Sequence, residues 1–174
     1  QLLNCHDADV DVASYMRAIH YKTAKLFEAA MRLGAIISRA PATDEAAAAK
    51  YGMHLGTAFQ LIDDVLDYSA DEAVTGKHLG DDLAEGKPTL PLIHAMQTGT
   101  PQQAAVVRAA IEQGDVTKLG EVQAIIQATG ALDFTRRQAL QEVEAACTAI
   151  SSFADTQFKR ALLELANFAA TRQF

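Results

Sequence analysis

The stretch of sequence that decides the fold is Phe59-Gln60-Leu61-Ile62-Asp63-Asp64-Val65-Leu66-Asp67. On an α-helix, residues four apart lie one above the other, so Asp63 and Asp67 share a face, and Gln60 lies one turn before Asp63. Four apolar residues supply the buried side of such a helix, namely Leu61, Ile62, Val65 and Leu66. The stretch therefore predicts a helix with an apolar core face and a ridge of carboxylates opposite it.

A ridge of carboxylates admits two interpretations. On a face in water, like charges at this spacing cost only about 0.2–0.5 kcal/mol per pair, and the ridge is then a solvated polar stripe. In a cleft the carboxylates resist joint ionisation, and a divalent cation removes that conflict. Mg2+ prefers oxygen ligands and is commonly shared between carboxylates and substrate phosphates. Spacing alone leaves both interpretations open.

The segment after this helix, residues 71–88, has the composition of a loop. It contains three glycines, Gly76, Gly80 and Gly86, and it ends at Pro88. We predict a long loop with a short helical turn, and loops of this length are often functional. Lys77 and Lys87 could neutralise the carboxylate ridge. They could equally bind a diphosphate whose other side is held by Mg2+, since lysine acts on phosphate as a point charge.

Upstream, the apolar spacing predicts one long helix from about Val12 to Ser38. Its apolar face is predicted to comprise Tyr15, Ile19, Leu26, Ala30, Leu33 and Ile37. Lys22, followed by Thr23, lies in this largely apolar stretch. A lysine at a helix edge normally extends its ammonium to water. Lys22 would approach Asp63 only if the first two long helices pack side by side.

The remaining pattern is helical throughout. The second long helix is predicted from about Asp44 to Tyr68, capped by Thr43 or Asp44. Further helices are predicted from Pro91 to about Thr98, from the N-cap Thr100 to Gly114, from the cap Thr117 to Gly130, over 131–152, and over 156–171 with Asp155 as cap. The chain is therefore predicted to be an all-α domain covering residues 1–174.

Composition excludes several classes of protein. The net charge of −7 provides no basic face for a nucleic-acid duplex, so no nucleic-acid partner is expected. The two cysteines, Cys5 and Cys147, form neither a disulfide framework nor a zinc pattern, which favours a reducing compartment. No apolar run approaches the roughly 20 residues that span a bilayer, and no signal peptide is visible. We expect a cytoplasmic protein without a transmembrane segment.

Three motifs in order resemble those of the trans-isoprenyl diphosphate synthases. Residues 59–67 resemble the family's second aspartate-rich motif. Residues 76–92, Gly-Lys-x-x-Gly-Asp-Asp-Leu-x-Glu-Gly-Lys-x-Thr-Leu-Pro-Leu, resemble its lysine loop and the following helix, and Lys22-Thr23 resembles its upstream lysine–threonine pair. The resemblance covers essentially the whole chain and is strongest to the bacterial octaprenyl members of the family.

This resemblance implies an isoprenoid synthase-type helical bundle that condenses isopentenyl diphosphate with an allylic prenyl diphosphate. The product would be a long-chain polyprenyl diphosphate for quinone side chains, and the parent enzyme a homodimer. Carried over by position, Mg2+ would be held by Asp63, Asp64 and Asp67, and the allylic diphosphate by Lys22, Lys77 and Lys87. Gln60 and Thr23 would orient the substrate or its cation. Asp81 would hold a metal-bound water or a lysine.

The family's first aspartate-rich motif and the arginines that follow it do not occur in this sequence. We expect them to lie before Gln1, so that the chain is truncated and has little or no synthase activity alone. Loss of the preceding helices would expose apolar surface on the first two helices, and we expect self-association or incomplete ordering. The alternative function is a non-catalytic helical subunit or interaction module of a heteromeric prenyl synthase.

Overall fold

The computed structural model describes residues 4–69 and 79–172, and these residues form helices and turns without a strand. In chain order the elements are α1 (Val12–Ile19), a π-helical turn (His20–Ala24), α2 (Lys25–Ile37), α3 (Ala42–Ser69), α4 (Asp81–Ala84), α5 (Leu90–Thr98), α6 (Pro101–Gln113), a 3-10 turn (Val116–Lys118), α7 (Leu119–Ala128), α8 (Ala131–Ala149) and α9 (Gln157–Thr171). The all-α prediction is confirmed. Within the described ranges, no helix is both long and apolar enough to cross a membrane.

The chain divides into two compact units. Of the described residues, the first unit comprises 4–18, 63–69 and 79–136, and the second unit comprises 19–62 and 137–172. The boundaries fall within α1, α3 and α8, so each of these helices contributes residues to both units. The expected single synthase domain over residues 1–174 stays a prediction.

The core of the first unit is formed by the last turns of α3 and by α4 to α7. Its largest buried side chains come from all of these helices, at Tyr68, Leu83, Leu92, Val107, Ile111, Val122 and Ile126. Local signals in the sequence set the helix ends here. Thr100 forms a capping box with Gln103 at the start of α6, and Gly114 ends that helix in the left-handed conformation that glycine adopts without strain. The predicted bounds of α5 and α6 are confirmed.

The core of the second unit lies between α3, α8 and α9, with α2 packed against it. Its buried residues are Tyr51, Leu55, Ala58, Val143, Ala146, Ile150, Ala166 and Ala169. Two glycines let α3 pack very closely against the π-helical turn and α2. A Cβ atom on Gly52 would overlap the backbone of Phe27, and one on Gly56 would lie 2.6 Å from the Cα atom of Ala24.

The predicted helical segment from about Val12 to Ser38 is confirmed in its extent, but a π-helical turn within it separates α1 from α2. A π turn inserts one extra residue into a helix and so rotates the apolar face that follows it. Tyr15 and Ile19 are buried as predicted. Beyond the turn, Phe27 and Met31 pack on the core in place of four predicted residues. Of these four, Ala30 is exposed, and Leu26, Leu33 and Ile37 are exposed to 71%, 56% and 80%.

Three predicted helix caps are also corrected. Helix α3 begins at Ala42, so Thr43 and Asp44 lie in its first turn rather than before it. Asp115, not Thr117, caps the 3-10 turn by accepting a hydrogen bond from the Thr117 N–H. Thr156, not Asp155, caps α9. In each case another polar residue or backbone carbonyl nearby satisfies the first N–H groups, a choice that sequence pattern does not resolve.

Candidate functional site

The three aspartates of the 59–67 stretch lie on α3, but they do not form one outward ridge. Asp63 and Asp67 are partly exposed and lie one turn apart, as predicted. Asp64 is 2% exposed and points into the interior of the first unit. The predicted ridge of carboxylates is therefore formed by Asp63 and Asp67, whereas Asp64 lies on the buried side of the helix.

Asp64 is held by a tyrosine from α1. The hydroxyl of Tyr15 donates a hydrogen bond of 2.5 Å to Oδ2 of Asp64. Burial, and then the negative charge of Asp64, raise the pKa of Tyr15 well above its ordinary value, so Tyr15 stays protonated and remains a donor. The sequence analysis treated Tyr15 only as an apolar face residue. The missed signal is a buried tyrosine, whose hydroxyl usually finds a hydrogen-bond partner.

Asp67 links the aspartate helix to the described end of the lysine loop. Its Oδ1 and Oδ2 atoms accept hydrogen bonds of 3.1 Å from the backbone N–H groups of Asp81 and Asp82, at the start of α4. Burial and the charge of Asp82 raise the pKa of Asp67 to about 7, against the opposing effect of those backbone hydrogen bonds. Asp67 is thus a partly buried carboxylate beside the negative charges of Asp82 and Asp81. A cation bound there would reduce the repulsion between these carboxylates.

Lys87, predicted to contact a diphosphate, is paired with acids of its own loop. Its Nζ atom lies 2.9 Å from Oδ1 of Asp82 and 2.8 Å from Oε2 of Glu85. Burial alone would lower the pKa of Lys87, but the hydrogen bonds to Glu85 and Asp82 outweigh it and raise the pKa above its usual value. Lys87 is therefore a fixed cation beside the acidic cluster. Lys77 lies outside the described residues.

The second unit holds the other predicted site residues. The Thr23 hydroxyl, in the π-helical turn, donates a hydrogen bond of 2.8 Å to Oε1 of Gln60 on α3. Gln60 is 8% exposed, whereas Lys22 is exposed. The structure thus brings Thr23 and Gln60 together. The expectation that Lys22 approaches Asp63 joins residues of the two units and stays a prediction.

Two features that position Thr23 against Gln60 were missed by sequence reasoning. Gly52 and Gly56 precede Gln60 at intervals of four, so the three residues share one face of α3. The glycines let this face approach α2 and the π-helical turn, and the turn presents Thr23 to Gln60. The signal was available as a Gly-x-x-x-Gly spacing about two turns before the aspartates. The π turn itself leaves no mark in residue spacing.

The donor set in the first unit suits a hard divalent cation. Segments 63–69 and 79–87 carry one lysine, Lys87, and six carboxylates, from Asp63, Asp64, Asp67, Asp81, Asp82 and Glu85. In the part of the chain that the structure describes, no three His, Cys, Asp or Glu side chains cluster closely enough to hold a metal ion by themselves. Carboxylate oxygens are among the ligands that Mg2+ prefers, and the ion is usually bound through one or two carboxylates, waters and substrate phosphates.

Comparison with known proteins decides the family. Residues 1–129 match the family model described as polyprenyl synthetase. The chain belongs to the polyprenyl synthetase family. It is 49% identical over 173 residues to the octaprenyl diphosphate synthase of Escherichia coli (strain K12), an alignment that covers 99% of this chain and 54% of that relative. This polyprenyl synthetase chain therefore spans about half the length of the curated relatives that it matches.

Solved structures show the same fold. A polyprenyl synthase from Caulobacter crescentus, complexed with calcium and isoprenyl diphosphate, matches with a TM-score of 0.94 and 37% identity, over 100% of this chain and 54% of that one. A geranylgeranyl pyrophosphate synthase from Corynebacterium glutamicum, complexed with isoprenyl diphosphate and magnesium, matches with a TM-score of 0.89 and 28% identity. The match covers 98% of this chain and 50% of that one. The predicted isoprenoid synthase-type helical fold is confirmed.

Proposed function

We propose that this chain is part of a polyprenyl diphosphate synthase, a transferase that condenses isopentenyl diphosphate with an allylic prenyl diphosphate. The product is a long-chain polyprenyl diphosphate. The observation that carries the proposal is the pair Asp63 and Asp67, one turn apart and partly exposed on α3, in a chain of the polyprenyl synthetase family. The excess of carboxylates around this pair supports a cation there, and diphosphate is the usual partner of such a cation.

Mg2+, when bound, would offset the negative charge that develops on the departing diphosphate. Asp63 and Asp67 would hold the ion, directly or through water, while Asp64 lies behind them against Tyr15. The amide of Gln60, fixed by Thr23, would orient the allylic group or its cation.

The lysines would act on the diphosphate itself. Lys22, exposed in the π-helical turn, and Lys77 would contact its oxygens as point charges. Lys87 would also contribute positive charge, and its pairing with Asp82 and Glu85 keeps that charge in place. Asp81 donates its backbone N–H to Asp67, which suits a supporting role for Asp81 at the metal.

A ligand-binding experiment tests the proposal on the chain itself. A ligand that binds only the native state raises thermal stability. We expect Mg2+ with inorganic diphosphate to raise the melting temperature of the wild-type chain, and Asp63→Ala to abolish most of that rise. Glu164→Ala, at an exposed acid on α9, serves as the matched control and should keep the full rise. An absent rise in the wild type, or an equal rise in Asp63→Ala, contradicts the proposal.

The same experiment separates the proposal from its alternative. A non-catalytic helical subunit or interaction module needs no metal-dependent diphosphate site, so its stability would not respond. Four further statements stay predictions, of which the first three rest on the family resemblance and the last on composition. They are little or no synthase activity for this chain alone, use of the product in quinone side chains, a homodimeric parent enzyme and a cytoplasmic location.

A further inference from the structure

The buried contact between Tyr15 and Asp64 is not explained by packing alone. Both residues are almost fully buried, at 5% and 2% exposure, and the hydroxyl of Tyr15 lies 2.5 Å from the carboxylate. Hydrogen bonds from a hydroxyl to a carboxylate are short, about 2.5–2.7 Å, and stronger than those between neutral groups. Burying a carboxylate is costly unless it is hydrogen-bonded, and the Tyr15 hydroxyl supplies that hydrogen bond to Asp64.

The location of this contact gives it a consequence for the outer carboxylates. Asp64 directly follows Asp63 and lies three residues before Asp67, so the hydrogen bond joins α1 to the turn of α3 that carries both. A donor from a neighbouring helix fixes both the carboxylate of Asp64 and the rotation of this turn.

We propose that Tyr15 is a positioning residue of the metal site, which acts through Asp64 to hold Asp63 and Asp67 in the orientation that receives the cation. The inference rests on the proposed function, since it concerns the same site. Groups that orient metal-binding carboxylates typically change metal affinity by about 10- to 100-fold when they are removed. Tyr15 therefore sets how much Mg2+ the site needs, without touching the ion.

The test is a Mg2+ titration of the full 174-residue chain at a fixed concentration of inorganic diphosphate, followed by thermal unfolding. Tyr15→Phe removes only the hydroxyl, and we expect it to raise the Mg2+ concentration for half-maximal stabilisation about tenfold. The matched control is Tyr51→Phe, in the second unit. Tyr51 is also buried, and its hydroxyl donates a hydrogen bond of 2.7 Å to the carbonyl of Leu162.

A merely structural role predicts a different result. In that case both tyrosine variants lose stability without ligand, and neither changes the Mg2+ midpoint. A wild-type midpoint in Tyr15→Phe overturns the inference while leaving the proposed function intact. A wild-type chain that does not respond to Mg2+ and diphosphate contradicts the proposed function, and the inference with it. The two failures are thus distinguishable.

A second variant keeps the inference testable if Tyr15→Phe does not fold. Asp64→Asn keeps an oxygen that can accept from Tyr15 but weakens the bond, and we expect it to raise the Mg2+ midpoint as well. Because the two residues act as one unit, the double variant should shift the midpoint no further than the larger single shift. An unchanged midpoint in Asp64→Asn, or additive shifts in the double variant, overturns the inference.

Discussion

At the scale of single residues, the aspartates of α3 differ in what surrounds their carboxylates. Asp64 is buried and accepts from a tyrosine, whereas Asp67 accepts two backbone N–H groups from the start of α4. Neighbouring acids, Asp81 and Asp82, act against the ionised form of Asp67. Identical residue types three positions apart therefore have different chemistry, because one faces the core and the other faces an acidic loop.

The raised pKa of Asp67 makes stability depend on pH. Its pKa rises from an ordinary value of 3.8 to about 7, so the native state holds the proton more tightly than the unfolded state does. The resulting stabilisation is fully present below about pH 4 and is lost as pH rises through about 7. We expect the metal-free chain to lose stability over this range, and Asp67→Asn to lose less. Urea unfolding from pH 4 to 8 measures both, and equal slopes would contradict the assignment.

At the scale of helices, close contact between α3 and the π-helical turn places Thr23 against Gln60. The contact depends on the absence of side chains at Gly52 and Gly56. A glycine within a helix costs roughly 0.5–1 kcal/mol relative to alanine. Gly52 and Gly56 lie four residues apart on one face of α3. Their presence indicates that close packing against the π-helical turn and α2 outweighs the cost of glycine in the helix.

This balance predicts opposite effects for two identical substitutions. Gly56→Ala should destabilise the chain by about 1–3 kcal/mol, because its Cβ atom would lie 2.6 Å from the Ala24 Cα atom. Gly34→Ala in α2 should stabilise it by up to about 1 kcal/mol, because a Cβ atom there meets nothing within 4 Å. Chemical denaturation of both variants measures the difference. Stabilisation by both alanines would show that the close approach of α3 is not required.

At the scale of the whole molecule, α2 presents an apolar surface to solvent. Leu26, Leu33, Ile36 and Ile37 of α2 are all exposed, and Ile37 is exposed to 80%. Scattered apolar residues are normal on a protein surface, but a contiguous helical patch favours association. The patch arises because the π-helical turn directs Phe27 and Met31, rather than these residues, onto the core.

We therefore expect the chain to self-associate as its concentration rises. The double substitution Leu33→Lys with Ile37→Lys removes part of the apolar patch and should shift the chain towards monomer. A lysine near the C-terminal end of a helix is also compatible with the helix dipole. Leu140→Lys on α8, which replaces an exposed apolar residue outside the α2 patch, is the control and should not change the association. Sedimentation velocity over a range of concentrations measures this, and a monodisperse wild-type monomer would contradict the expectation.

Much of the fold could be predicted from local pattern. The breaks at Gly114 and Gly130 and the capping box at Thr100 act within one or two turns, so they are visible in the sequence. The apolar face of α2 could not be predicted, because spacing rules assume 3.6 residues per turn and the π turn breaks that assumption. The acceptor role of Asp64 could not be predicted either, since its donor lies 49 residues earlier.

The sequence by itself determined an all-α chain of this family, and it supplied the residues proposed for a magnesium–diphosphate site. It did so because helix period, capping and motif spacing are properties of neighbouring residues. Tertiary structure alone decided which aspartate faces inward, which residues of α2 reach the core, and that Thr23 meets Gln60. Those outcomes depend on how closely helices distant in sequence approach one another, which is set by packing and by the absence of side chains at Gly52 and Gly56.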